Sequence, residues 1–188
     1  MPRQKEFDPD AAVAAAMDLF WANGYAATTP QQLVDALGIG RGSLYNAFGS
    51  KHELFERALQ HYYDTHTTTL IETLEGTGTV RSRLRAALEL VAGQAHDRGC
   101  LITNTAVEFT DPGDPVVATI RRVLDRQEQA FRATVEEGQR SGEIPREHDA
   151  GALAAFFLAT TNGIQVLAKA NHGPERLSAL VETALRAL

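Results

Sequence analysis

Residues 29–55 read TPQQLVDALGIGRGSLYNAFGSKHELF, and this stretch decides the fold. Thr29 is placed to cap a helix, Pro30 suits its first position, and Gln32 follows the cap by three residues. Leu33 and Leu37 stand one turn apart and give that helix an apolar face. Gly38, Gly40 and Gly42 permit a tight turn. Leu44, Tyr45 and Phe48 continue on a second short helix. Ser50 and Glu53 then have the spacing of a capping box before Leu54 and Phe55. A short helix, a glycine turn and a second short helix with an exposed leading edge describe a helix-turn-helix. Such a unit seats its second helix in a DNA major groove.

Working outward, the chain is helical throughout. Asp8-Pro9-Asp10 opens a helix carrying Ala12, Ala16, Leu19 and Phe20 at helical spacing, and Gly24 ends it. Trp21 and Tyr25 are assigned to the core of this small N-terminal unit. From Lys51 a long helix runs to about Glu75, with Phe55, Leu59, Tyr62, His66 and Leu70 along one stripe. A further amphipathic helix carries Val80, Leu84, Leu88, Val91 and Ala95 and stops at Gly99. Residues 100–109 form one short apolar helix, followed by a turn over 110–115. Val117, Ile120, Leu124, Phe131 and Val135 line a helix of some six turns, which Gly138 and Gly142 weaken and end. Residues 150–170 are apolar nearly all round, and Leu177, Leu180, Val181, Ala184 and Leu185 mark the last helix. The fold class is all-α, with about nine helices. A three-helix helix-turn-helix domain over residues 1–50 precedes a larger bundle over residues 51–188.

Phe20, Gly24-Tyr25, Thr28-Thr29, Leu37-Gly38, Gly42, Leu44-Tyr45, Phe48 and Ser50-Lys51, at these spacings, resemble the N-terminal domain of TetR/AcrR-family transcriptional regulators. The matching motif covers roughly residues 10 to 60. Beyond it the chain resembles the family only in length and helical pattern. The resemblance implies a homodimer that binds an inverted repeat in double-stranded DNA and is released by a small-molecule effector held in the C-terminal domain. Gly40 departs from the pattern, since serine or threonine often caps the recognition helix there. Glycine weakens such a cap by only a few tenths of a kcal/mol, so the helix survives.

The recognition helix spans about Arg41 to Phe48, with Arg41, Gly42, Ser43 and Asn46 leading. Arg41 can donate two hydrogen bonds to a guanine edge or contact a phosphate. Ser43 and Asn46 have the same two choices. The resemblance implies phosphate contacts by Tyr45 and Lys51. Thr28 and Thr29 stand at a helix N-terminus, where backbone amides favour phosphate. An N-terminal arm with Arg3 and Lys5 is read as solvated. For the effector, the polar and aromatic set in the bundle is Tyr62, Tyr63, His66, Phe109, Phe131, Phe156, Phe157, Thr160 and Gln165, which describes a mostly apolar site with a few polar handles.

Composition bounds the alternatives. The chain has 188 residues, 44% hydrophobic and 22% charged, the balance of a globular protein with a real core. A net charge of −6 is unusual for a DNA binder, yet residues 36–52 hold Arg41 and Lys51 and no acid. Global charge governs nonspecific association, whereas docking depends on local charge. No apolar signal region opens the chain, and the apolar run at 150–159 is too short for a bilayer, so the expected location is the cytoplasm, with no membrane partner.

One cysteine, Cys100, excludes an intrachain disulfide. With Arg98 and His96 nearby, it admits a second reading as a redox or electrophile sensor. His96 and Cys100 lack a third ligand, so no metal and no cofactor are expected. No Walker, G-x-S-x-G or paired-histidine motif supports an enzyme, although a ligand-binding protein or enzyme that has lost DNA binding stays open. The two C-terminal helices carry more apolar surface than one bundle uses, which predicts a four-helix dimer interface.

Overall fold

A computed structural model describes residues 8–94 and 98–188. The Arg3 and Lys5 arm, Ala95 and His96 lie outside the described residues. Helix α1 spans Pro9–Asn23, with the Asp8 carboxylate accepting from the Asp10 and Ala11 amides. Helix α2 (Pro30–Leu37) starts in a complete capping box of Thr29 and Gln32. It ends at Gly38, whose φ of 63° is left-handed and suits glycine. Helix α3 is Arg41–Phe48. Of the three glycines in the turn region, Gly38 alone has positive φ.

Helix α4 (Lys51–Tyr62), a π-turn (Tyr63–Thr67) and α5 (Thr68–Glu75) form the expected long rod. Only half of the capping box predicted at its start is made. The Ser50 hydroxyl accepts from the Glu53 amide, but the Glu53 carboxylate takes a bond from that hydroxyl. The remaining helices are α6 (Val80–Gln94), α7 (Leu101–Glu108), α8 (Pro115–Ser141), α9 (Ala150–Lys169) and α10 (Pro174–Leu185). Counting the rod once, the described residues form nine helices and no strand.

Helix α8 runs through Gly138 to Ser141, and of its predicted face Ile120, Phe131 and Val135 are buried, while two positions in its first half are replaced by their neighbours. Val116 and Val123 are buried, whereas Val117 and Leu124 are half-buried.

Two apolar cores result. The first joins Phe20, Leu33, Phe48 and Phe55 of the small unit to Leu101, Ile102 and Ile120 from α7 and α8. The second joins Leu74, Leu84, Leu88, Phe131, Phe157 and Val181. The rod serves both, giving Leu54 to Tyr62 to the first and Leu70 to Leu74 to the second. Each fully buried Leu or Phe contributes roughly 1.5–3 kcal/mol, so the rod cannot shift without disturbing both. Helix α9 is long and apolar enough to cross a membrane by length and composition, with 28% of its apolar window buried. Its Thr161 and Ile164 are buried against neighbouring helices, and Asn162 bonds Thr103 on α7, so it packs as a protein helix.

Candidate nucleic-acid interface and interior cavity

The exposed edge of α3 follows from its short apolar stripe. Leu44 and Phe48 point inward at 3% and 1% exposure, which turns Arg41, Gly42 and Asn46 to solvent. Arg41 lies 5.8 Å from the Tyr45 ring centroid, one helical turn on. Ser43 and Asn46 make no side-chain hydrogen bond among the described residues, so both remain free to donate and accept. Gly40 supplies no capping side chain, leaving the first-turn amides of α3 without a side-chain acceptor. Lys51 stands 4.2 Å over the Tyr25 ring. Partial burial pulls its ammonium below the ordinary lysine value, and nearby Glu108 partly opposes this.

Between the two cores lies a cavity of about 250 Å³. Its aromatic wall is Trp21, Tyr62 and His66. The Tyr62 and His66 rings stack at 4.7 Å, and both meet Trp21 edge-on at 5.0 and 5.1 Å. The Trp21 indole donates to the Gly99 carbonyl at 3.0 Å. Arg98 lies 4.0 Å over the indole and pairs with Asp18 at 2.8 Å. Burial, then Cys100, pushes the Tyr62 phenol well above its usual range. Burial, then Arg98, pulls His66 below its ordinary value. Both groups are therefore neutral near pH 7. Leu70, Leu90 and Val91 complete the apolar lining, while Thr67, Gln127 and Gln165 add polar atoms.

Comparison with known proteins gives this geometry its family. Residues 12–58 match the model of bacterial regulatory proteins of the tetR family, and residues 76–187 match the tetracyclin repressor-like C-terminal domain. The chain belongs to the TetR family. An uncharacterised HTH-type transcriptional regulator of Bacillus subtilis, YezE, is 32% identical over the whole of both chains. The repressor ComR of Escherichia coli is 29% identical, covering 98% of this chain and 90% of that one. Among solved structures, a cysteine mutant of CifR bound to 26-base-pair operator DNA superposes with a TM-score of 0.89. It is 33% identical, over 98% of both chains. The protein is thus a DNA-binding transcriptional regulator of this family.

Set in the TetR fold, the sequence-predicted residues divide. Arg41, Gly42, Ser43, Tyr45 and Asn46 share α3, and Thr29 and Lys51 start the flanking helices. Thr28 is corrected: it is fully buried, its amide donates to the Tyr25 carbonyl at 3.3 Å and its hydroxyl to the Gly24 carbonyl at 2.7 Å, so neither is left for phosphate. Of the nine effector candidates, Tyr62, His66 and Gln165 line the cavity. The other six are not in its wall. Phe131 and Phe157 stack at 5.8 Å in the second core. Phe109 packs on Tyr25 and Phe55, and Tyr63 packs against the first core. Phe156 is 42% exposed on α9, and Thr160 bonds back to its carbonyl. Trp21, Thr67, Arg98 and Gln127 were missed. Trp21 belongs by sequence to the small unit, and nothing local signals that its indole reaches a carbonyl 78 residues away.

Proposed function

We propose that the protein is a homodimeric repressor that holds an inverted-repeat operator through two copies of α3 and releases it when a small molecule fills the cavity. The reading divides the chain into a DNA-binding head, residues 1–50, and an effector-binding and dimerising body, residues 51–188, acting in the cytoplasm. The carrying observation is α3 itself. It has an uncapped N-terminus and exposed Arg41 and Asn46 in an acid-free stretch, which suits phosphates and base edges. Arg41, Ser43 and Asn46 would read bases, while Thr29, Tyr45 and Lys51 would hold phosphates. Gly42 would let the backbone approach.

Dimerisation is supported by the outer face of α9. Ala152, Ala155, Phe156, Ala159 and Val166 are exposed at helical spacing, with Phe156 at 42% and Val166 at 54%. Such a stripe of small and apolar residues suits a second copy of α9 and α10. A dimer must hold its heads about 34–36 Å apart to enter successive major grooves. An effector preferring another separation would lower DNA affinity by its coupling energy, about 1–3 kcal/mol.

The test is selection of sites from random duplexes at moderate and high salt, with sedimentation of the complex. An enriched inverted repeat bound by two chains is expected, and Arg41→Ala with Lys51→Ala should abolish its binding while leaving the fold intact. No enrichment by folded protein would defeat the reading.

A second reading has one observation in its favour: Cys100 lines the same cavity, beside Tyr62. In that reading an oxidant or electrophile that modifies the thiol, rather than a reversible ligand, triggers release. Equal release of wild type and Cys100→Ser under oxidant would eliminate it.

A further inference from the structure

The five buried threonines among the described residues are Thr28, Thr67, Thr105, Thr134 and Thr161. Four of them donate to backbone carbonyls, those of Gly24, Leu101, Ala130 and Leu158. Thr67 does not. It is 4% exposed, its hydroxyl makes no hydrogen bond among the described residues, and it lines the cavity. Its hydroxyl is therefore available to donate to, or accept from, a molecule in the cavity.

The π-turn explains how Thr67 comes to be there. The Thr68 amide bonds the Tyr63 carbonyl five residues back, so the rod underwinds locally. In an unbroken α-helix, residues 62, 66 and 70 would share a face, with residue 67 about 60° from 70 but about 140° round from 62. Underwinding swings residue 67 back toward residue 62, and Tyr62, His66, Thr67 and Leu70 all line the cavity. A polar position is thereby added to an otherwise aromatic wall. The threonines on either side bond backwards within the rod, Thr65 to His61 and Thr68 to Asp64. Two more polar groups share the lining. The Gln127 and Gln165 side-chain amides, both half-buried, have no hydrogen-bond partner among the described residues.

The charge balance narrows the ligand. Arg98 is already met by Asp18, and His66 and Tyr62 are neutral near pH 7. Among the described residues no cation in the wall stands unpaired, so an anion entering would lose hydration without a counter-charge. The size narrows it further, since about 250 Å³ holds about eight waters at roughly 30 Å³ each.

From these relationships we infer that the cavity binds a neutral, one-ring organic molecule bearing a hydrogen-bonding oxygen, its ring against Trp21 and His66 and its oxygen on the Thr67 hydroxyl. This ligand class rests on reading the cavity as the effector site. The π-turn is what presents the donor, and the two glutamine amides reach other polar atoms of the same ligand.

Trp21 is the single tryptophan of the chain and forms part of the wall, so its emission reports occupancy directly. The full-length protein is titrated with benzyl alcohol, with ethylbenzene as its isostere lacking the hydroxyl, and with benzoate as the anion. Saturable change with benzyl alcohol at or below about 1 mM, and weaker response to benzoate, is expected. Thr67→Val keeps the volume and removes the donor. It should weaken benzyl alcohol about fivefold, the effect of one neutral hydrogen bond, and leave ethylbenzene within twofold. The unchanged ethylbenzene response also shows that the variant is folded. Tighter binding of benzoate, no response to benzyl alcohol, or equal loss of both neutral probes in Thr67→Val would each overturn the inference. Operator release is measured separately. Binding without release leaves the ligand class standing and removes the effector reading, whereas release without a Trp21 response removes the ligand class and keeps the regulator.

Discussion

The carboxylate of Glu108, at the C-terminal end of α7, accepts hydrogen bonds from the backbone amides of Tyr25 at 3.3 Å and Ala26 at 3.1 Å. These amides lie in the turn between α1 and α2, so a side chain from the bundle holds the backbone of the helix-turn-helix unit. A carboxylate is poorly placed at a helix C-terminus, where the macrodipole disfavours negative charge by about 0.3–1 kcal/mol. Helix α7 also bonds α9, through Thr103 to Asn162 and through Lys169 to Asn104. It therefore runs from the proposed dimer helices to the head, alongside Gly99 and Cys100 in the cavity wall.

Glu108→Ala should accordingly separate stability from coupling. Losing two exposed hydrogen bonds costs about 1 kcal/mol, and relief at the helix end returns part of that. The expected change in Tm is a drop of no more than about 2–4 °C. The effector's influence on operator affinity should instead shrink severalfold. Full retention of effector response in Glu108→Ala, measured by operator titration with and without effector, would remove α7 from the coupling route.

Which parts of this arrangement were legible depends on how local their cause is. The cap at Thr29, the left-handed turn at Gly38 and the spacing of Leu33, Leu44 and Phe48 are set by neighbours in sequence, and the helix-turn-helix follows from them. The cavity is set by where distant faces meet. Aromatic content alone could not tell Phe131 and Phe157, which fill the second core, from Tyr62 and His66, which line the opening. Thr67 was illegible for a different reason. A regular helical period was carried through the rod, and the π-turn changes the phase at the point where the site is built.

Gly138 shows the same limit and makes a stability prediction. Read by type it is a helix breaker, yet α8 passes through it because the chain crosses itself there. A Cβ at Gly138 would stand 2.7 Å from Ile144 Cδ1 and 3.0 Å from Val80 Cγ1. The Ile144 amide is bonded to the Gly138 carbonyl at 3.1 Å, so the neighbour cannot easily withdraw. Overpacking of about 1–3 kcal/mol outweighs a helix-propensity gain of at most about 1 kcal/mol. Gly138→Ala should lower Tm. Gly93→Ala, on α6 with nothing within 4 Å of its Cβ, should raise it. Thermal melts of the two variants check the contrast, and a gain at Gly138 would contradict the packing.

His66 predicts how stability varies with pH. Its folded value is lowered, first by burial and then by Arg98, with Asp18 opposing. Well above pH 7, the ring is neutral in both folded and unfolded chains, and it contributes no pH dependence. As pH falls through the unfolded value of about 6.5, the unfolded chain takes up a proton that the folded chain resists. Stability therefore declines, then levels off below the folded value. His66→Phe keeps a ring stacked on Tyr62 and cannot titrate. The fall in Tm between about pH 7.5 and pH 5.5 should be smaller in the variant than in wild type. Equal falls would place the acid sensitivity elsewhere.

Gly42 offers the sharpest separation of fold from docking. It lies in the first turn of α3, exposed, with a conformation open to any residue, and a Cβ built on it meets nothing within 4 Å. Among the described residues, then, nothing requires glycine here, and alanine at an exposed helical position is more favourable by up to about 1 kcal/mol. The reason would lie outside the chain, in the close approach of the α3 backbone to DNA. Gly42→Ala is expected to melt at or above the wild-type temperature and to bind the selected operator at least tenfold more weakly. Gly40→Ala, one step before the helix and equally unobstructed, separates a general cost of side chains in this turn from a specific one at Gly42. Operator titrations at fixed salt decide it, because unchanged affinity in Gly42→Ala would mean that the backbone of α3 does not approach the groove as the docking geometry requires.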